Sequence, residues 1–126
     1  MYLAAITTVG SSLVVPYDTI LYDPLGSCTT GAAAKYTALV DGFYDVITQM
    51  RTNAASLSGN YIGKNGNNNI AESSATYTAS GQENVLVAIV KLVAGDTIAA
   101  YGNGGYTTVG STSQRDYMVV AFRAPA

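Results

Sequence analysis

The sequence predicts an all-β protein of the sandwich, barrel or jelly-roll class. Short stretches rich in Val, Ile, Thr and Tyr recur along the chain, and clusters of Gly, Asn and Ser separate them. No segment carries the 3.6-residue apolar period over ten or more residues that an amphipathic helix requires. A length of 126 residues corresponds to one domain with a single hydrophobic core.

The predicted strands follow the β-branched and aromatic stretches in chain order. Residues 41–51 come closest to a helical period, yet the β-branched run Val46, Ile47 and Thr48 favours a strand there as well. The predicted strands are residues 3–9, 13–21, 34–37, 42–51, 56–64, 73–78, 83–93, 97–101 and 116–123.

Three kinds of turn separate these strands. Residues 23–26 place Pro24 at the second and Gly26 at the fourth position of a type I turn. Asn65 and Gly66 form a strong hairpin signal, because both residues tolerate positive φ angles. Residues 65–69 are expected to form an exposed loop, as are residues 102–105 and 110–114.

The composition predicts a domain that is covered by partners. Charged residues make up 11% of the chain, against about 25% in an average protein. A small domain with so little charge is poorly protected against association, so we expect copies of the chain to cover part of its surface. The net charge is −2 and no basic block occurs, which argues against binding to nucleic acid or to anionic membranes.

Catalytic chemistry has little support in the sequence, and we expect neither an enzyme nor a bound cofactor or metal. The chain has no histidine, and its one cysteine, Cys28, is expected to be a small buried residue. Its eight acidic residues are scattered. Asp23 and Asp96 are candidates for a calcium site, but we prefer the interpretation that Asp96 closes a turn through its own backbone.

The ten tyrosines carry most of the aromatic content, since the chain has two phenylalanines and no tryptophan. Tyrosine suits half-buried sheet faces and protein interfaces, because its ring packs while its hydroxyl still finds a partner. Most are therefore expected to pack, although Tyr101 and Tyr106, beside a glycine-rich loop, are candidates for stacking on carbohydrate. The predicted ligand-binding residues are Asn65, Asn67, Asn68, Tyr101 and Tyr106.

Several segments, in this order, resemble C1q/TNF-like domains from about residue 15 to residue 122. Residues 15–23 resemble the early strand and turn of C1q-like domains. Residues 36–44 are similar to the signature F-x-A-P-x-x-G-x-Y, with Tyr36 in the aromatic place and Leu39 in place of the usual proline. Asn65–Gly66 fits the turn of the central hairpin, and residues 92–98 match L-x-x-G-D-x-V. Residues 117–122 resemble the aromatic-rich last strand, although Val or Ala replaces the usual glycine.

This resemblance implies a ten-stranded jelly-roll sandwich that assembles as a homotrimer around an apolar, aromatic-lined axis. Residues 1–12 would form an N-terminal arm or first strand, and residues 13–126 the jelly-roll domain. The strand at residues 83–93 is apolar on both faces, which indicates that it lies between the sandwich core and a neighbouring subunit. The residues predicted at the trimer interface are Tyr44, Leu86, Tyr117 and Phe122.

The residue composition of the chain is closest to that of the phage and bacterial members of this family. The chain has no collagen-like repeat, no recognisable signal peptide and no Asn-x-Ser/Thr acceptor, and it opens at Met1 without a shaft. We therefore expect a complete, non-enzymatic trimer on a phage virion, acting as a capsid decoration or head-fibre module in capsid stabilisation or host attachment. Its partners would be the major capsid protein or a host receptor. The alternative is the receptor- or glycan-binding head of a tail fibre or bacterial adhesin, located outside the cell or on a bacterial surface.

Overall fold

The computed structural model describes residues 7–9, 13–15, 17, 19–51, 57–76, 83–103, 106–108 and 117–126. These residues form eleven strands and one short 3₁₀ helix, Gly31–Ala33. The strands are β1 (Thr7–Val9), β2 (Leu13–Val14), β3 (Cys28–Thr29), β4 (Lys35–Thr37), β5 (Gly42–Arg51), β6 (Leu57–Lys64), β7 (Asn67–Thr76), β8 (Glu83–Leu92), β9 (Thr97–Asn103), β10 (Tyr106–Thr108) and β11 (Tyr117–Pro125).

Two antiparallel sheets form the sandwich. The smaller sheet has the order β11-β5-β8, so β5 is its central strand. The larger sheet has the order β3-β4-β9-β6-β7, and β2 also pairs with β9. β1 pairs with β10, so part of the predicted N-terminal arm is a strand, while the rest of residues 1–12 lies outside the described residues. Large side chains from both sheets meet in one core, among them Tyr17, Tyr44, Ile62, Leu92 and Ile98.

The prediction of an all-β protein is confirmed, with differences in the number and bounds of the strands. Eleven strands occur in the described residues, two more than the nine ranges placed from the sequence, because β3 and β10 are two- and three-residue pairings too short to leave a periodic signal. In the predicted strand at residues 13–21, the described residues form a regular strand only at Leu13–Val14. Val15 and Tyr17 nevertheless pack in the core.

The β6–β7 hairpin turns earlier than the asparagine-rich sequence suggests. Asn65 and Gly66 have φ values of 54° and 81°, the positive angles that a two-residue hairpin turn requires. β7 therefore begins at Asn67, and the prediction of an exposed loop through residue 69 is wrong. Pairing through the backbone allows asparagines in the strand despite their low β propensity.

A buried polar bridge joins the two sheets. The Thr48 hydroxyl on β5 donates to Asn60 Oδ1 on β6 at 2.9 Å, and Asn60 Nδ2 donates to the Asn84 carbonyl on β8 at 3.2 Å. A longer bond of 3.5 Å runs from Asn60 Nδ2 to the Thr48 carbonyl. All three residues are buried, so Asn60 satisfies polar groups on two strands of the opposite sheet.

Substituting Gly63 by Ala is expected to destabilise the chain by about 2–3 kcal/mol, because a Cβ there collides with the Asn67 carbonyl and the Tyr101 ring. Thermal or urea unfolding measures the loss. Gly66→Ala is the matched control: its Cβ meets no atom within 4 Å and only the positive φ opposes it, at about 1 kcal/mol. An equal or smaller loss in Gly63→Ala contradicts the close packing of β6 on β9.

Within the described part of the chain, no helix has the length and apolar character needed to span a membrane.

Candidate interaction surface

The outward side of the small sheet carries large apolar side chains. Along β8, residues alternate between the core and solvent, and Val85, Val87 and Ile89 are 51%, 61% and 57% exposed. On β11, Val119 is 45% exposed. In the strand register, Val119 lies opposite Ile47 on β5, and Ile47 lies opposite Val87 on β8. We call these five residues the apolar face.

One ion pair lies beside the apolar face. Arg123 Nη1 contacts Asp45 Oδ1 at 2.9 Å, and both side chains are partly exposed. Asp45 is on the central strand, between Ala121 of β11 and Ile89 of β8 in the register. The apolar face is a candidate interaction surface, because exposed apolar side chains that are contiguous mark sites of association.

A second apolar surface lies beside β11, on the opposite edge of the same sheet from β8. It is a groove of about 470 Å³, lined by residues 21–25, 27 and 28, by Tyr36, and by residues 118–122. We call it the apolar groove. Leu21, Tyr22, Leu25 and Phe122 are 48%, 85%, 73% and 49% exposed.

The wall of the apolar groove is held by the turn after Tyr22. The Asp23 carboxylate accepts hydrogen bonds from the backbone N–H groups of Cys28 and Ser27, at 2.8 and 2.9 Å. These bonds favour the charged carboxylate and lower the pKa of Asp23. The Gly26 N–H donates to the Asp23 carbonyl at 3.3 Å, the bond between the first and fourth residues of a β-turn, and Gly26 has a φ of 67°, which glycine adopts without strain. The segment therefore presents its apolar side chains on a fixed backbone.

Cys28 lies in the same groove with its side chain half-buried. Burial and, to a smaller extent, the nearby Asp23 charge raise the pKa of its thiol. The prediction of a buried cysteine is met only in part, because the side chain is half-buried at the groove.

Three aromatic rings link the groove to the core. The Tyr44 ring lies 5.8 Å from the Tyr36 ring and 5.4 Å from the Phe122 ring, the latter edge-to-face. The Tyr44 hydroxyl donates to the Val40 carbonyl at 2.8 Å. Burial, and then the proximity of Tyr44, raises the pKa of Tyr36 to about 12. The cluster fixes the position of Phe122 at the rim of the groove.

The residues predicted at the trimer interface are divided between the two sides of the small sheet. Tyr44 is 1% exposed inside the single chain, so it offers no surface to a neighbouring subunit, and Leu86 packs against the core. This corrects the prediction for both. Tyr117 is half-buried at the start of β11, opposite Gln49. Phe122 is half-exposed at the groove.

On β8, the residues that face solvent are Val85, Val87 and Ile89, on the side opposite to Leu86. Both sides of residues 83–93 are apolar, so the sequence indicates two covered faces without showing which one the core covers. Val85, Val87 and Ile89 were missed for that reason. The signal that identifies them is the register with β5, in which the buried Val46 and Thr48 fix the core side.

The predicted ligand-binding residues are only partly brought together. Asn65 and Tyr101 line a cavity of about 400 Å³, but Tyr101 is 6% exposed, which leaves too little of its ring for stacking on a sugar. Asn67 is exposed on β7. Asn68 is on β7 and Tyr106 on β10, and their side chains are outside the described residues.

Asn65 has a structural role in the turn. Its Nδ2 donates to Asp96 Oδ1 and its Oδ1 accepts from the Thr97 N–H, both at 2.8 Å. Asp96 also accepts from the Val93 N–H and pairs with Lys64 at 2.9 Å. The Asp96 carboxylate thus closes its own turn, as we expected from the sequence. It also joins this turn to the β6–β7 hairpin through Asn65 and Lys64. The described residues bring no three Cys, Asp or Glu side chains together where they could hold a metal ion.

The contacts of the Asp96 carboxylate with Asn65, Val93 and Lys64 predict a loss of folding stability in acid. The hydrogen bond from Asn65, and then those from Val93 and Lys64, lower the pKa of Asp96 from 3.8 to about 2. A lowered pKa stabilises the folded state above pH 3.8, and the contribution disappears as the pH falls from about 4 to 2. Melting temperatures of wild type and Asp96→Asn are therefore expected to differ most above pH 4 and to converge near pH 2. If the difference between the two melting temperatures stays constant from pH 4 to pH 2, Asp96 does not stabilise the two turns as described.

Comparison with known proteins gives the fold. No family model matches the chain, and no curated protein matches it in sequence. Among solved structures, it is similar to the TNF protein Eiger from S. frugiperda, with a TM-score of 0.77 and 13% sequence identity. The superposition covers 98% of this chain and 88% of the other. An identity this low carries the fold alone, and the chain accordingly has the TNF-like jelly-roll fold.

Proposed function

We propose that the chain is a non-enzymatic protein that acts as a homotrimer, with the apolar face covered by a neighbouring copy. The observation that carries the proposal is the exposure of Val85, Val87, Ile89 and Val119, each close to or above half of its surface. Ile47 on β5 lies between Val119 on β11 and Val87 on β8, so the apolar face runs across three neighbouring strands. A chain with 11% charged residues has little polar surface to surround it.

The apolar face alone is too small to drive assembly. Full burial of a Val or Ile side chain contributes about 1.5–3 kcal/mol, so the half-exposed residues of the face would supply roughly 4 kcal/mol per subunit. Association costs about 4–15 kcal/mol in lost translational and rotational freedom. A second buried surface is therefore needed, and Tyr22 and Leu25 in the apolar groove have the highest exposed fractions among the large apolar side chains that the structure describes.

The positions of the two surfaces favour a ring. The apolar face is centred on β5 and β8, and the apolar groove lies beyond β11 at the other edge of the sheet. Because the two surfaces differ, contact between the face of one copy and the groove of the next is heterologous, and such contacts form a ring when the rotation between copies closes. A ring of three is what the resemblance to the C1q/TNF-like family implies.

Labelling with a photogenerated carbene tests the covered surface residue by residue. In the wild type, Val85, Val87, Ile89 and Val119 are expected to be protected, whereas Ile70, which is 37% exposed on β7 of the other sheet, is labelled. Labelling of the four residues at the level their exposure in a single chain predicts would contradict the proposal. The same measurement on a monomeric variant provides the unprotected reference.

The role we propose for the trimer is that of a capsid decoration or head-fibre module on a phage virion. It is supported by the phage-like composition and by the exposed apolar face. Immunogold labelling of purified phage particles with antibodies to the chain tests this role. Label at regular positions on the shell or at head fibres supports it, and label restricted to host debris contradicts it.

The geometry gives less support to the alternative, a glycan-binding head. Tyr101 is buried, and the Asn65 side chain is engaged by Asp96 and Thr97. A glycan site built on these two residues would have to break contacts that hold the turns together.

A further inference from the structure

The Asp45–Arg123 pair occupies an unusual place for a surface ion pair. Asp45 is on the central strand of the small sheet, two residues before Ile47 and on the same outward side. Its neighbours across the sheet are Ala121 and Ile89, which have no polar side-chain atoms. The charged residues of β8, Glu83 and Lys91, are near its two ends.

The pair contributes little while it faces water. Arg123 and Asp45 have side chains that are 54% and 38% exposed, and exposed pairs of this kind contribute at most about 1 kcal/mol. Covering the pair by a neighbouring subunit changes this, because both charges lose water. A covered pair is tolerated only when its remaining donors and acceptors also find partners.

A single contact cannot satisfy both groups. The bond joins Arg123 Nη1 to Asp45 Oδ1, while a guanidinium has five N–H donors and a carboxylate has about four acceptor positions. The residues directly opposite Asp45 are apolar, so when the face is covered further partners would come from the neighbouring subunit. Around the axis of a symmetric ring, every subunit brings the same two groups.

We propose that Asp45 and Arg123 determine which chains can associate, because the pair of one subunit is completed by the pair of the next around the ring. This inference rests on the proposed homotrimer. Apolar contact between the face and the groove supplies the affinity, and the alternating charges exclude chains that present the wrong sign, as charged groups do in other specific interfaces.

A mixing experiment with reversed charges tests the proposal. The variant carrying Asp45→Arg and Arg123→Asp is co-expressed with the wild type under different affinity tags, and native mass spectrometry counts the subunits of each kind. Random assembly would place both kinds in about three of every four trimers. We expect mixed trimers to fall at least tenfold below that level, because each would hold like charges together. Random mixing overturns the proposal.

Neutral variants keep the test decisive if the reversed chain does not fold. Asp45→Asn and Arg123→Gln are each expected to raise the dissociation constant of the trimer about tenfold, and the double variant no more than either one. Effects that simply add overturn the proposal. A wild-type chain that is a monomer overturns the proposed homotrimer itself, whereas a wild-type trimer with random mixing or additive effects overturns only the role of the pair.

Discussion

Replacing Val87 by Asp is expected to convert the trimer into folded monomers. Val87 is 61% exposed in the single chain and lies in the middle row of the apolar face, opposite Ile47. A carboxylate there stays in water when the chain is alone, so the fold of the monomer should change little. In the trimer, each of three contacts would cover an unpaired charge. The penalty is about 3 kcal/mol or more per contact, or over a hundredfold in affinity.

Size-exclusion chromatography with light scattering measures the result at fixed protein concentration. The variant is expected to have the mass of one chain, 13.0 kDa, with a wild-type far-ultraviolet circular dichroism spectrum. Ile70→Asp is the matched control, because it places the same charge at an exposed apolar position on β7 of the large sheet. A Val87→Asp chain that keeps the wild-type mass shows that the apolar face is not the interface.

Replacing Asn60 by Ala is expected to cost about 3–4 kcal/mol of folding free energy, the largest loss from a single polar residue in the described core. Asn60 is fully buried and accepts from the Thr48 hydroxyl while donating to the Asn84 carbonyl. Its removal leaves both groups buried without these bonds, at about 1–3 kcal/mol each. The loss is measured by urea unfolding of the monomeric Val87→Asp background, so that dissociation does not contribute.

A paired substitution separates hydrogen bonding from packing. Thr48→Val with Asn60→Leu removes both members of the shortest bond and fills the space with apolar atoms, so it should cost less than the sum of Thr48→Val and Asn60→Ala. Additive losses would contradict the account of Asn60 as the centre of a polar bridge between the sheets.

The fold could be predicted because its signals are local. β5 and β8 are long, rich in β-branched residues and bounded by turn residues, and their predicted bounds agree with the structure to within one residue. The Asn65–Gly66 turn follows from the positive φ angles that these residues tolerate. The local signals did not predict that β7 starts at Asn67, because that start depends on pairing with β6.

The candidate surface could be predicted only in part, because it depends on which side of a sheet faces the core. Leu86 and Val87 are equally apolar, and they exchange roles if the strand is turned over. The structure resolves this through the buried Thr48, which is opposite Leu86 in the register and bonds to Asn60 on the other sheet. The apolar groove has no sequence signature at all, since it joins residues 21–28 to residues 118–122.

The central claim is that the apolar face is covered by copies of the same chain, and the mass of the wild-type protein in solution tests it most directly. Light scattering over a dilution series should give about three times 13.0 kDa down to micromolar concentration. A mass of one chain throughout the series would contradict the homotrimer and would leave Val85, Val87 and Ile89 exposed to water in the working protein.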